Sequence, residues 1–360
     1  MHTEFAPGTP GLHRYEYVFP DRRIDVYDID HSFRLVASWS VAVAHGYRGI
    51  AVSPATAMLY LSVGGNGGSS GHGKLIAYDL RTNRIRWVRA FPTGTDSPAI
   101  TPDGRRLYLP TGERTMDDVW YVVAARTGEV IGELHGGPGP HNTIVAPDGR
   151  RVYLGPRNSR FLFVADTATG RIIRRVGPLR PGVRPFTING DQTLAFTTAT
   201  GILGFQASSL RTGKLLYSVP AHAFYARHSL GTPSHGISLS PDSRELYLLD
   251  VPNSYVHVYD VSRLPAAPPR HEVDIALSSM KGLESPCGGD CGRAGWLQHS
   301  LDGRYVFVGD AGDVIDTRSH RVVAVLPGLH NSRYELEVDW RGNRPIATST
   351  RSGIGRPPTH

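Results

Sequence analysis

Apolar and polar positions alternate along this chain in short bursts of four to eight residues, each ending at a polar turn and followed by another burst, which is the pattern of many brief strands. The commonest turn is Pro-Asp-Gly or a near copy. It occurs in TPDGRRLYL (101–109), APDGRRVYL (146–154), SPDSRELYL (240–248) and SLDGRYVFV (300–308), with looser copies in SPATAMLYL (53–61), NGDQTLAFT (189–197) and DWRGNRPIA (339–347). Pro fixes φ and Gly accepts positive φ, so each copy predicts a tight turn between two antiparallel strands, A and B. A third burst follows and ends in Asp or its equivalent before a Thr-Gly-like turn, as in KLIAYDLRTN (74–83), FLFVADTATG (161–170) and VHVYDVSR (256–263). A fourth burst, such as RIIRRV (171–176) or RVVAVL (321–326), completes each unit as strands C and D.

The turns begin at Ser53, Thr101, Ala146, Asn189, Ser240, Ser300 and Asp339, between 39 and 60 residues apart. A four-stranded propeller blade takes roughly 40–45 residues. Seven such units predict an all-β chain folded as a seven-bladed β-propeller of four-stranded antiparallel blades. RIDVYDID (23–30) and RLVASWSV (34–41) precede the first A strand, whereas the last copy, at 335–349, has only A and B. The N-terminal strands within 15–41 are therefore expected to complete the last blade as its C and D strands, closing the ring without a free edge. The repeats run from about residue 15 to 350 without a linker, so residues 1–360 read as a single domain.

Composition narrows the function classes. The net charge of +7 is almost wholly arginine, with Lys only at 74, 214 and 281, and no Lys/Arg run marks a nucleic-acid partner. No apolar stretch is long enough to span a membrane, and the start MHTEFAPGTPGLHR lacks the signal-peptide pattern, which leaves two compartments open, cytoplasmic, or exported with a leader removed. Cys287 and Cys291, in ESPCGGDCGRAG, are open to three readings: a disulfide, two free thiols or metal ligands. GGNGGSSGHG (64–73) follows a B strand and opens another strand, so it reads as a B–C loop and not as a phosphate cradle. No Gly-x-Ser-x-Gly elbow is present.

The segments SPDSRELYLLDVPNSYVHVYDVS and GPHNTIVAPDGRRVYLGPRNSRFLFVADTATGRII resemble the YVTN-repeat, YncE-like seven-bladed propellers of bacteria, and the resemblance extends over nearly the whole chain. It implies the propeller fold. For function it implies a range, because such propellers include lactonase-like enzymes, lyases, metal-dependent oxidases and binding proteins, so the function has to be argued from the site.

In an antiparallel blade the D–A and B–C loops share one face, so those of all seven blades crowd one mouth of the channel. The two longest D–A loops, 219–235 and 278–295, fall on that mouth and are expected to shield it. The residue five before each turn stands at the start of strand A, a column of Arg48, Asp96, His141, Arg184, His235, Gly295 and Tyr334. His141, Arg184 and His235, from three successive blades, are the expected catalytic centre, with Arg48, Asp96, Tyr334 and Glu335 binding substrate. One reading places a transition metal (Cu, Fe, Mn or Zn) on His141 and His235, with His45, His222, His228 or His330 completing the set. A second is a metal-free enzyme of lactonase, lyase or cycloisomerase type. There Arg48 and Arg184 clamp the carboxylate or phosphate of an anionic small molecule, and a histidine paired with Asp96 or Glu335 moves the proton. A third is a non-catalytic scaffold whose loops hold a ligand or a protein partner.

Overall fold

The computed structural model describes residues 11–180, 182–221, 231–284 and 292–349. They form seven antiparallel sheets in a ring. The innermost strands of blades one to six are Tyr47–Ser53, Ala99–Ile100, Pro140–Val145, Val183–Ile188, Ile237–Leu239 and Leu297–His299, and each pairs outward through three further strands in chain order. No described helix is long and apolar enough to cross a membrane.

The repeated motifs make the turns anticipated for them. In blade two the Gly104 amide donates to the Thr101 carbonyl at 2.8 Å with Gly104 at φ +70°, and the Asp103 carboxylate accepts from the Arg105 amide at 3.0 Å. Blade four has Gly190 in place of the turn proline and Gln192 in place of its final Gly, and Asn189 holds the turn: its Oδ1 accepts from the Thr193 and Leu194 amides at 2.9 and 2.8 Å. The aspartates that end the C strands cap the next turn in the same way. Asp166 Oδ1, for example, accepts from the Ala168 and Thr169 amides at 3.1 and 2.8 Å.

Blade seven differs from the expectation of two strands from each end. Its order is Arg344–Thr348, Glu335–Arg341, Leu12–Val18, Arg23–Asp28, Arg34–Ser40, so the N-terminus supplies three strands, and the last strand of the chain is a fifth, innermost one. Leu12–Val18 pairs with Glu335–Arg341 over seven consecutive positions, from Leu12 opposite Arg341 to Val18 opposite Glu335. The strand hides in the sequence because Arg14 and Glu16 interrupt its apolar run, yet Glu16 is fully buried between Tyr15 and Tyr17, themselves buried. The ring is closed by hydrogen bonds between the two ends of the chain, and the extra strand lies in the channel. There Arg344 to Ser349 and the A–B turn prolines Pro54, Pro102, Pro147 and Pro241 line a cavity of about 790 Å³ at the lower end.

The core lies between blades. Ile144, Tyr153 and Leu162 of blade three pack against Phe186 and Ile188 of blade four, and similar clusters join the other neighbours. Each such side chain contributes about 1.5–3 kcal/mol on burial, so the ring is a rigid frame for whatever its loops present.

Candidate functional site

At the end of the channel opposite the Pro-Asp-Gly turns is a second cavity of about 770 Å³, and its walls are charged. Strand A is innermost, so its first residues face the mouth. Arg48 and Arg184 come from the A strands of blades one and four, His235 and Tyr334 from the residues just before the A strands of blades five and seven, and all four line the cavity. The B–C loops add Glu113, Arg114 and Arg157, which leave their B strands at Pro110 and Pro156. Glu284, Arg293 and Arg333 come from the loops on either side of blade six.

The loop carrying Glu113 is held by backbone approach. Gly112, at φ +125°, lies where a Cβ would come within 2.4 Å of the Gly67 carbonyl oxygen, so a side chain there would push the loops of blades one and two apart. That approach lets the Arg114 amide donate to the Gly67 carbonyl at 2.7 Å and the Glu113 amide donate to Asp96 Oδ2 at 3.3 Å.

Glu113 is the hub. Its Oε1 accepts from Arg48 at 2.9 Å, and its Oε2 lies 2.7 Å from Arg184 Nη1 and 3.0 Å from Arg157 Nη1. Arg48 also donates to Asp96 at 3.1 Å. Burial would raise the Glu113 carboxyl, but His141 and the three guanidiniums outweigh it and hold the group well below the usual carboxylate range. Burial acts likewise on Asp96, and Arg48 and His141 outweigh it. The Arg48–Arg184 clamp expected for a substrate anion thus holds the protein's own carboxylate. Burial, with Arg157 adding to it, pulls the pKa of Arg184 down to about 10 against the attraction of Glu113.

His141 and Asp96 stand one layer behind the cavity wall. His141 Nδ1 is 3.0 Å from Asp96 Oδ2 and Nε2 is 3.8 Å from Glu113 Oε2. His235 reaches the cavity. Its Nδ1 donates to the Gly295 carbonyl at 3.0 Å and its ring meets Trp296 edge to face at 5.2 Å. Burial, then Arg333 and Arg184, push its pKa well below the ordinary histidine value, so the ring is neutral and Nε2 carries the lone pair. Glu284 contacts Arg333, yet burial outweighs that guanidinium and raises its pKa to about 7.

Other anticipated residues fall elsewhere. His45 is on the rim, half exposed, with Nδ1 2.8 Å from Asp21. In His330, Nδ1 donates to the Ala311 carbonyl at 3.1 Å and Nε2 accepts from Arg293 at 2.9 Å. Glu335 is buried inside blade seven, near Glu16 and away from the cavity wall. His222, His228, Cys287 and Cys291 lie outside the described residues, although Gly231 to Pro233 and Gly292 to Ala294, on the flanks of the same long loops, line the mouth. Sequence reasoning followed one column of residues and so passed over Glu113, Arg157, Glu284 and Arg333. The signal was present: Glu113 and Arg157 open B–C loops, already expected on this mouth, and Arg333 adjoins Tyr334 of the column.

No protein-family profile matches the chain, and no curated protein matches it in sequence. Solved structures do match its fold. A functionally unknown protein from Desulfotomaculum acetoxidans aligns with a TM-score of 0.68 at 12% identity, over 89% of this chain and 98% of that one. The hydrazine synthase of Kuenenia stuttgartiensis aligns at 0.57 and 16% identity, over 84% of this chain and 94% of that one. The dihydro-heme d1 dehydrogenase NirN, solved in complex with DHE, aligns at 0.59 and 14% identity, over 95% of this chain and 73% of that one. At these identities the likeness establishes the seven-bladed propeller and leaves the narrower YVTN-repeat, YncE-like resemblance resting on the sequence motifs.

Proposed function

We propose that the mouth cavity binds a small anionic molecule through its arginines and acts on it by acid–base chemistry, without a metal, in the manner of a lactonase, lyase or cycloisomerase. The observation that carries this reading is the charge of the walls: six arginines against two glutamates line the cavity. A ligand carboxylate or phosphate beside Arg157 and Arg184 adds counter-charge to two guanidiniums that share one Glu113 oxygen at 3.0 and 2.7 Å, and their planar forks suit either group. His235 is held neutral with Nε2 as its lone-pair nitrogen, which suits it to accept a proton from the bound molecule. Glu284, with a pKa near 7, suits the reverse transfer. Glu113 is the positioning residue, holding three arginines in one arrangement.

A transition metal at this mouth has less support. Among the described residues no three histidine or carboxylate groups of the mouth lie within reach of a single ion, and His45 and His330 already engage other partners. The neighbour solved with DHE is evidence of shared architecture only.

The test is calorimetric titration of untagged protein at low ionic strength with a panel of mono- and dicarboxylates, lactones and phosphate monoesters. Saturable binding is expected for anions, weakened by added salt and by Arg157→Ala or Arg184→Ala, and Arg184→Lys should fail to restore it. Turnover of a bound anion should fall in His235→Ala while its affinity changes little. Anion affinity unchanged in both arginine variants would refute the reading.

A further inference from the structure

Blade five carries a second cluster of ligating side chains, on its two outer strands and apart from the channel. His257 lies on the C strand Tyr255–Asp260, and His271 and Asp274 lie on the D strand Arg270–Ala276. In a regular strand, residues three apart face opposite sides. Here they share a side because of a bulge: His257 pairs with Asp274 and Tyr259 with His271, leaving Glu272 as the extra residue between them. The bulge therefore aims both imidazoles at one carboxylate, and Asp274 Oδ1 is 2.6 Å from His257 Nδ1 and 2.6 Å from His271 Nε2.

The geometry points to a divalent transition-metal site, with zinc the best fit, formed by His257 Nδ1, His271 Nε2 and an Asp274 oxygen, all within 4.8 Å of one another. Two imidazoles and one carboxylate are a donor set that zinc takes in open sites, with water as the fourth ligand. The surrounding contacts are those of a metal-bound histidine. His257 Nε2 lies 3.1 Å from Asp250 Oδ2, and Asp250 is fully buried and fixed by Asn253 at 2.8 and 3.0 Å. A carboxylate behind the ring is the partner that orients a metal-bound imidazole. Ligand atoms around a tetrahedral zinc stand about 3.3 Å apart, so the two 2.6 Å contacts have to lengthen as the ion enters. His271, with 38% of its side chain exposed, gives the ion a route from solvent. Of the neighbouring charged groups, Arg270 is occupied by Asp260 and Glu272, and Tyr259 packs its ring on His271 at 5.5 Å.

Untagged, EDTA-stripped protein is dialysed against zinc chloride and, separately, cobalt chloride. Binding of a zinc ion at micromolar concentration is expected, with visible cobalt bands of a tetrahedral nitrogen–oxygen site. His271→Ala and Asp274→Asn should each weaken zinc binding by about tenfold or more and abolish the cobalt bands. Both positions are partly exposed, and melting curves of the metal-free variants establish that they fold. Folded wild-type protein that takes up no zinc at 100 µM (roughly the weak end for a protein site), or zinc affinity unchanged in both variants, overturns the assignment. Neither result bears on the anion cavity, which uses none of these residues.

Discussion

Glu113→Gln removes one charge and almost no volume from the hub of the mouth, and so tests what that carboxylate does. It deprives three guanidiniums of their shared partner, at 2.7, 2.9 and 3.0 Å. The side chains of Arg184, Arg48 and Arg157 are only 7, 14 and 28% exposed, so water cannot fully replace the lost charge. Breaking a buried ion pair from one side costs about 3–5 kcal/mol. Arg48 keeps Asp96 at 3.1 Å and Arg157 reaches some solvent, which places the cost at the lower end, about 3 kcal/mol. Unfolding entropy near 2.1 cal/mol/K per residue gives roughly 0.75 kcal/mol/K for 360 residues, so Tm should fall by about 4 °C. Calorimetric melts of wild type and variant at neutral pH and low salt measure this directly. Acetate or formate should recover more stability in the variant than in the wild type, because either anion, entering from the cavity, restores the negative charge the guanidiniums lost. A variant that melts with or above the wild type, and ignores acetate, would mean that desolvating Glu113 already cancels its attraction to the arginines, and the hub would lose its positioning role.

Three further outcomes are expected. Glu16 is buried opposite Glu337 with neither carboxylate oxygen hydrogen-bonded among the described residues, and burial, then Glu337 and Glu335, raise its pKa well above the usual carboxylate value. A carboxyl raised on folding keeps its full contribution below the unfolded value of about 4.5 and loses it as pH rises towards the folded value, at up to about 1.4 kcal/mol per pH unit. Glu16→Gln should therefore gain stability over wild type progressively from pH 5 to pH 8 (about the span above the unfolded carboxyl value), and a pH-independent difference in Tm would contradict this. Glu284 ionises near pH 7, so anion affinity at the mouth should fall as pH rises through neutrality, and Glu284→Gln should flatten that profile in calorimetric titrations. Deleting residues 1–20 removes the strand Leu12–Val18 and its seven pairs with Glu335–Arg341, so cooperative melting should be lost, whereas a truncated chain melting like the intact one would show that the ring closes without that strand.

The propeller was legible in the sequence because its determinants are local and repeated. A Pro-Asp-Gly turn, an alternating strand and an Asp-capped turn each fix a few neighbouring residues, and seven copies at blade spacing leave one architecture that buries them all. The same register marked Arg48, Arg184, His235 and Tyr334 as neighbours, because strand A is innermost in blades one to six and next to the innermost strand in blade seven. What charge those residues meet was settled only by tertiary structure. Arg184 and Glu113 are 71 positions apart and face each other across the mouth through a strand of one blade and a loop of another. Leu12–Val18 escaped the pattern because a buried Glu16 interrupts it, and its place depends on an edge that the other end of the chain supplies. The cluster on blade five depends on one bulge, which turns His271 to the side of Asp274 and His257, and a single extra residue leaves no mark on the hydrophobic period. Periodicity fixes which residues face the channel or the neighbouring blade, but the potential at a site sums over groups remote in sequence, and that sum exists only once the ring is closed.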